Sequence, residues 1–246
     1  MGLTKNSVMS AVKMITTPLT AAILWAALGA SAPADIQDVA GLTPADSTQL
    51  HYKIYRKGKT IGDHRVSVRL DEAHAFVDIN FSIRVKFLGI TAFRMDHQAS
   101  ERWKLLPVAL EAMSATTDRS SGTFVVEVGE GEEGYDVVVN GETSEAPQQV
   151  MPTSFTLARH LFDTSDKDVV LLDTLSGILR PSRIHYRKVD DDLDVEGVLG
   201  TVNYYEITRR DTGEITHRIW YDEGDAFVQV GLTTKDGHYV EYRRQA

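Results

Sequence analysis

His97 and Glu101 stand four residues apart in a stretch that otherwise alternates apolar and polar side chains, and both fall on the apolar parity. A histidine and a carboxylate facing one interior can act as acid and base, fix the polar end of a bound molecule, or hold a metal ion with a third donor. His64, which shares the parity of Val66 and Val68 in the segment before, would supply that third donor if its strand packs near His97. Spacing limits these options. Four strand residues span roughly 13 Å, so His97 and Glu101 do not touch unless a bulge shortens the strand. No H-x-H, H-x3-H or H-E-x-x-H pattern occurs, and no metal or other cofactor is expected. With Met95 and Trp103 on the same face, the functional reading is a mostly apolar pocket lined by His64, Met95, His97, Glu101 and Trp103. The competing structural reading gives each polar group a buried partner, such as an arginine or a backbone carbonyl, the commoner situation inside β-barrels.

Two long strands must position these residues. Val77, Ile79, Phe81, Ile83, Val85 and Phe87 alternate with Asp78, Asn80, Ser82, Arg84 and Lys86. Phe93, Met95, Ala99, Trp103 and Leu105 then alternate with Arg94, Asp96, Gln98, Ser100, Arg102 and Lys104. Period-two alternation marks a half-buried strand, one face wet and the other turned to an interior. Leu88-Gly89 breaks the pattern and predicts a bend or tight turn, and Leu106-Pro107 ends the second strand. Upstream, 49–56 is a strand with Leu50, Tyr52 and Ile54 on one face, 57–59 is a turn, and 61–70 returns with Val66, Val68 and Leu70 inward.

Downstream, strands are predicted at 110–117, 123–128 and 135–139, with an acidic turn at 129–134 and Asn140-Gly141 as a hairpin turn. After Pro147 and Pro152 the period changes. Phe155, Ala158, Leu161 and Phe162 mark one face of a short amphipathic helix, with Thr153 or Ser154 as its N-cap. Strands resume at 169–172, 184–189, 201–208, 215–221, 226–233 and 238–243, the last four separated by glycine-containing turns. Ten to twelve short strands, one helix and no βαβ rhythm predict a mainly β fold, an antiparallel meander closed into a barrel or roll with one short helix. Residues 49–246 read as a single domain and 35–48 as a linker.

Other candidates carry less chemistry. The acidic run 190–196 lacks the interleaved glycine and distant glutamate of a calcium loop and reads as a solvated loop. There is no cysteine, no G-x-S-x-G elbow and no phosphate-cradling loop, which leaves nucleophilic catalysis little support. Tyr204, Tyr205, Trp220, Tyr221, Tyr239 and Tyr242 form either a ligand wall or ordinary cross-strand packing, the more frequent case. His74, His160, His185, His217 and His238 read as surface residues.

Several segments, taken together and in order, resemble one family. They are Ile54-Tyr-Arg-Lys-Gly-Lys-Thr-Ile-Gly-Asp-His-Arg-Val66, the H-x3-E-x-W strand within Phe93–Trp103, Pro152-Thr-Ser-Phe155, Leu171-Leu-Asp-Thr-Leu-Ser-Gly177 and Ile219-Trp-Tyr-Asp222. The family is DUF6134, an exported bacterial domain of unknown function. The resemblance implies a periplasmic, mostly antiparallel rolled sheet and brings no activity with it. Where its pattern carries a tryptophan shortly after Pro-Thr-Ser, this chain has Thr156.

Address and charge bound the partners. Residues 1–34 begin with Lys5 and Lys13 as their only charges, continue through an apolar stretch and end in Ala30-Ser-Ala-Pro-Ala34. This describes a secretory signal peptide cut after Ala34. Its apolar run falls short of the roughly 20 residues of a spanning helix, so no stable membrane span is expected after cleavage. The formal net charge of −9 becomes more negative once those lysines are removed. That argues against nucleic acid and against adhesion to anionic headgroups, and leaves neutral hydrophobic ligands open. The leading expectation is thus a periplasmic, non-enzymatic protein binding a hydrophobic or lipid-like small molecule inside a rolled sheet. The alternatives are a hydrolase or isomerase using His97 and Glu101 as acid and base, and an envelope-assembly factor with a solid core.

Overall fold

Alternation sets which side chains face inward, and the turns set how the strands meet. The computed structural model describes residues 47–87, 90–161, 165–189, 202–222, 227–234 and 237–245. Its strands are β1 (Ser47–Arg56), β2 (Lys59–Leu70), β3 (His74–Phe87), β4 (Ile90–Leu105), β5 (Val108–Arg119), β6 (Gly122–Glu130), β7 (Gly134–Val139), β8 (Glu142–Pro147), β9 (Val150–Pro152), β10 (Lys167–Leu172), β11 (Leu179–Val189), β12 (Val202–Arg209), β13 (Ile215–Tyr221), β14 (Phe227–Thr233) and β15 (Tyr239–Arg244). All belong to one sheet in the order β8-β7-β6-β5-β4-β3-β2-β1-β15-β14-β13-β12-β11-β10-β9. β8 and β9, the two edges of this sheet, are consecutive in the chain with two residues between them. A link that short cannot cross an open fifteen-strand sheet, so the sheet rolls until its edges approach. The result is a nearly closed barrel.

Two of the hairpin turns are of the primed kind that matches strand twist. Lys57 and Gly58 have φ of 52° and 71°, and Asn140 and Gly141 have 49° and 89°. The Asn140 side chain also accepts a bond from the Val125 backbone N–H, 2.9 Å.

A barrel of this many strands is wider than its own side chains fill. The chain fills it with backbone. β9 and β10 pair in parallel, and parallel strands need a crossover rather than a tight turn. Phe155, Leu157 and Ala158 of that crossover are at most 1% exposed. The Tyr221 hydroxyl donates to the Phe155 carbonyl at 2.9 Å. The loop between β10 and β11 follows it inward. Gly177 (φ 70°) lies so close to the wall that an added Cβ would meet Val139 Cγ2 at 2.2 Å.

Three expectations are corrected here. The helix is only a 3₁₀ turn, Ala158–Leu161; Phe162 lies outside the described residues. Ser154 caps nothing, its Oγ being buried without a partner. The Thr153 hydroxyl instead accepts from the Thr174 N–H, 3.1 Å. The segment is held by the barrel around it rather than by helical periodicity. Phe93, placed on the inward face by its parity, is 39% exposed because β4 has there outrun β5. The bend at Leu88-Gly89 and the 190–196 loop lie outside the described residues.

Candidate functional site

Register brings His64 and His97 into one row. Tyr52 pairs with His64, His64 with Phe81, Phe81 with His97 and His97 with Thr117, so five inward side chains cross β1 to β5 in line. Phe81 separates the two imidazoles. Its ring lies 4.8 Å from that of His97 in a stack and 5.9 Å from that of His64, edge on. Among the described residues no group of three His, Cys, Asp or Glu is placed to hold a metal ion.

The two histidines differ in partners. His97, 2% exposed, pairs its Nδ1 with the Thr117 hydroxyl at 2.9 Å. Burial pushes it down to about 4, assisted by Arg119 and opposed by Asp173. His64, 6% exposed, has no hydrogen bond at either ring nitrogen. Tyr52 (5.3 Å), Phe81, Phe227 (6.2 Å) and Tyr242 (5.4 Å) surround it. Burial, with the charges of His97 and His51, pushes it down to about 3. It is therefore a neutral imidazole with one donor and one acceptor unused.

Met95 adjoins this row. It forms an apolar cluster with Ile54, Ile83 and Val240, onto which Leu175 of the inner loop packs. That loop is anchored from the wall by Arg119, whose Nη2 donates to the Leu175 carbonyl at 3.0 Å. Asp173 accepts from the Leu175 N–H and from Arg180, both at 3.0 Å.

Glu101 and Trp103 form a separate centre further along β4. The indole Nε1 donates to Glu101 Oε2 at 2.9 Å. Burial raises the carboxyl to about 7, with Ser154 and then Trp103 holding it from rising further. Ser154 stands beside the carboxyl, yet its Oγ and Glu101 Oε1 both fall short of hydrogen-bond geometry. His97 and Glu101 thus each have their own partner, and the structure does not join them as an acid–base pair. Trp103, fully buried, belongs to the main core. Two surface depressions, one over Pro181 and Arg210 and one beside Tyr55 and Tyr239, include none of these residues.

Sequence reasoning missed Tyr52, Phe81, Thr117 and Tyr242 as neighbours of the histidines. Tyr52 and Phe81 carried the signal of inward parity; their pairing with His64 needed the register. His217, read as a surface residue, shares the inward parity of Ile219 and Tyr221 and meets the Phe155 ring edge on at 5.2 Å. Burial pushes it down to about 4. Tyr204 and Trp220 are a cross-strand stack, centroids 4.9 Å apart, which is packing.

The fold has relatives among solved structures. A β-barrel-like DUF1849 protein from Brucella abortus superposes with a TM-score of 0.57 at 11% identity, covering 80% of this chain and 94% of that one. A DUF1089 family protein from Pseudomonas aeruginosa gives 0.42 at 12% identity, covering 76% and 89%. The first supports the barrel-like architecture. No curated protein matches the chain. The profile of one family matches residues 52–245, nearly the whole described barrel, and the chain therefore belongs to DUF6134, a domain of unknown function.

Proposed function

We propose that the chain is an exported, non-enzymatic binding protein of the bacterial envelope, and that its barrel takes up a hydrophobic, lipid-like molecule whose uncharged polar end meets His64. The supporting observation is the His64 ring, enclosed by four aromatic side chains with both nitrogens unbonded. Such a buried group costs roughly 1–3 kcal/mol, and native folds keep few of them. A neutral imidazole suits an alcohol or amide end, which can use the vacant donor or acceptor. Next to it lies the Ile54, Ile83, Met95 and Val240 wall, covered by the only partly buried Ile61, Val85, Leu175 and Leu232. An apolar chain reaches His64 by displacing Leu175.

Replacing His64 with Phe separates this reading from a purely structural one. Phe fills similar space and removes the unsatisfied atoms, so it is expected to stabilise the fold by roughly 1–3 kcal/mol, or several degrees in Tm. Ligand binding should weaken about tenfold, the worth of about 1.4 kcal/mol in lost hydrogen bonding. Native mass spectra of the gently purified protein, with titration of an apolar fluorescent probe, measure both. Unchanged probe affinity in the stabilised variant, with no co-purifying lipid in the parent, would favour the solid-core assembly factor.

Export has its own test. Residues 1–40 fused to a reporter active only outside the cytoplasm should give signal, and the recovered protein should begin near Asp35. Recovery of a chain that still starts at Met1 would defeat the assignment.

A further inference from the structure

The β3–β4 hairpin runs past β5 and leaves the ladder with β2 before β2 itself ends at Lys59. Pairing of β3 with β2 stops at Ile83, and pairing of β4 with β5 stops at Met95. Beyond those points Arg84–Phe87 and Ile90–Arg94 pair only with each other, a two-stranded ribbon roughly 13 Å long. Such a ribbon is marginal alone, and this one is apolar at its end. Ile90 is 74% exposed and Phe93 39%. Phe93 faces Val85 two pairs beyond Ile83 and Met95, on the same face, so an apolar line runs outward from the cluster beside His64. The chain as a whole is acidic, yet residues 79–95 contain Arg84, Lys86 and Arg94 and no Asp or Glu. At the base, Asp96 pairs with Arg84 at 2.7 Å and Asp118 with Arg94 at 2.6 Å.

We infer that this ribbon docks the protein on a phospholipid bilayer, Ile90 and Phe93 entering the interface while the exposed Lys86 meets anionic headgroups. Exposed apolar side chains among basic ones are the composition that binds such a surface. The net negative charge of the chain opposes adsorption of the molecule at large and leaves this end as its docking point. A second copy is a poorer occupant, because pairing two ribbons would bring the exposed Lys86 of each copy together. The inference is independent of the His64 reading, and His64→Phe should leave docking unchanged.

The test is flotation of the exported chain with vesicles of phosphatidylethanolamine and phosphatidylglycerol. Wild type should float, and the double variant Ile90→Ser, Phe93→Ser should bind at least about tenfold more weakly, given the apolar area withdrawn. Its melting temperature should be unchanged. Lys86→Glu should weaken binding several-fold. As the chain has no cysteine, Ile90→Cys carrying an environment-sensitive dye gives a second readout, expected to shift to the blue with vesicles. Wild type that fails to float, or serine and glutamate variants that float equally well, would overturn the inference. So would a dye shift without lipid that tracks self-association in sedimentation, since the ribbon would then be covered by another copy.

Discussion

Replacing Glu101 with Gln is expected to stabilise the protein above pH 7 and to change little below about pH 4.5. The carboxyl is 2% exposed, and burial lifts it from its ordinary 4.5 to about 7. Between those values the folded chain keeps a proton that the unfolded chain releases. Stability therefore falls with rising pH across that window, at about 1.4 kcal/mol per pH unit, and is level on either side. The accumulated cost is roughly 3 kcal/mol. Gln mimics the protonated form and carries none of it, so the advantage of the variant should grow to roughly 6–12 °C in Tm at pH 8.

The histidines act in the opposite sense. His64, His97 and His217, held neutral with values of about 3, 4 and 4 against 6.5, take up protons on unfolding. Their contribution is present above pH 6.5 and is lost as the pH falls toward 4. Wild type should thus gain stability up to about pH 6.5 with a slope blunted by Glu101, and Glu101→Gln should restore the full slope. Parallel melting curves for the two proteins between pH 4 and 8 would refute the assignment.

Trp103→Ala is expected to cost roughly 3–5 kcal/mol. Trp103 is fully buried and among the largest side chains in the core, and its loss also leaves Glu101 Oε2 without its indole donor. Trp103→Phe isolates the second effect by keeping most of the volume. Its cost should be greater at pH 8, where the carboxylate is charged, than at pH 4, where it is not. In the Glu101→Gln background that pH dependence should vanish. A double-mutant cycle by denaturant titration measures the coupling, and a cost of Trp103→Phe that is equal at both pH values would show that the indole does not stabilise the charge.

Period-two alternation by itself determined most of the barrel. It placed Tyr52, Val66, Ile79, Met95, His97, Glu101 and Trp103 inward, because in a strand successive side chains point to opposite faces. Turn residues such as Lys57-Gly58 and Asn140-Gly141 marked where the chain reverses, since their left-handed backbone suits a tight hairpin. β8 and β9 escaped notice, one being mostly polar and the other only three residues long.

Register was decided only by the tertiary structure. Counting outward from the two-residue turn at Lys57 and Gly58 would set Tyr52 opposite Asp63. A bulge in β2, between the Tyr55–Thr60 and Ile54–Gly62 pairs, sets it opposite His64 instead. The sheet accepts that bulge where a Cβ on Gly62 would lie 2.1 Å from the Ser82 carbonyl oxygen, a backbone approach that a linear pattern of polarity does not encode. The placement of Ser154 beside Glu101 was likewise beyond the sequence. It depends on a crossover that has no period of its own and takes its path from the space left inside a rolled sheet. Phe93 shows the same limit from the other side. Its parity is inward, but a side chain is buried only where neighbouring strands extend far enough to cover it.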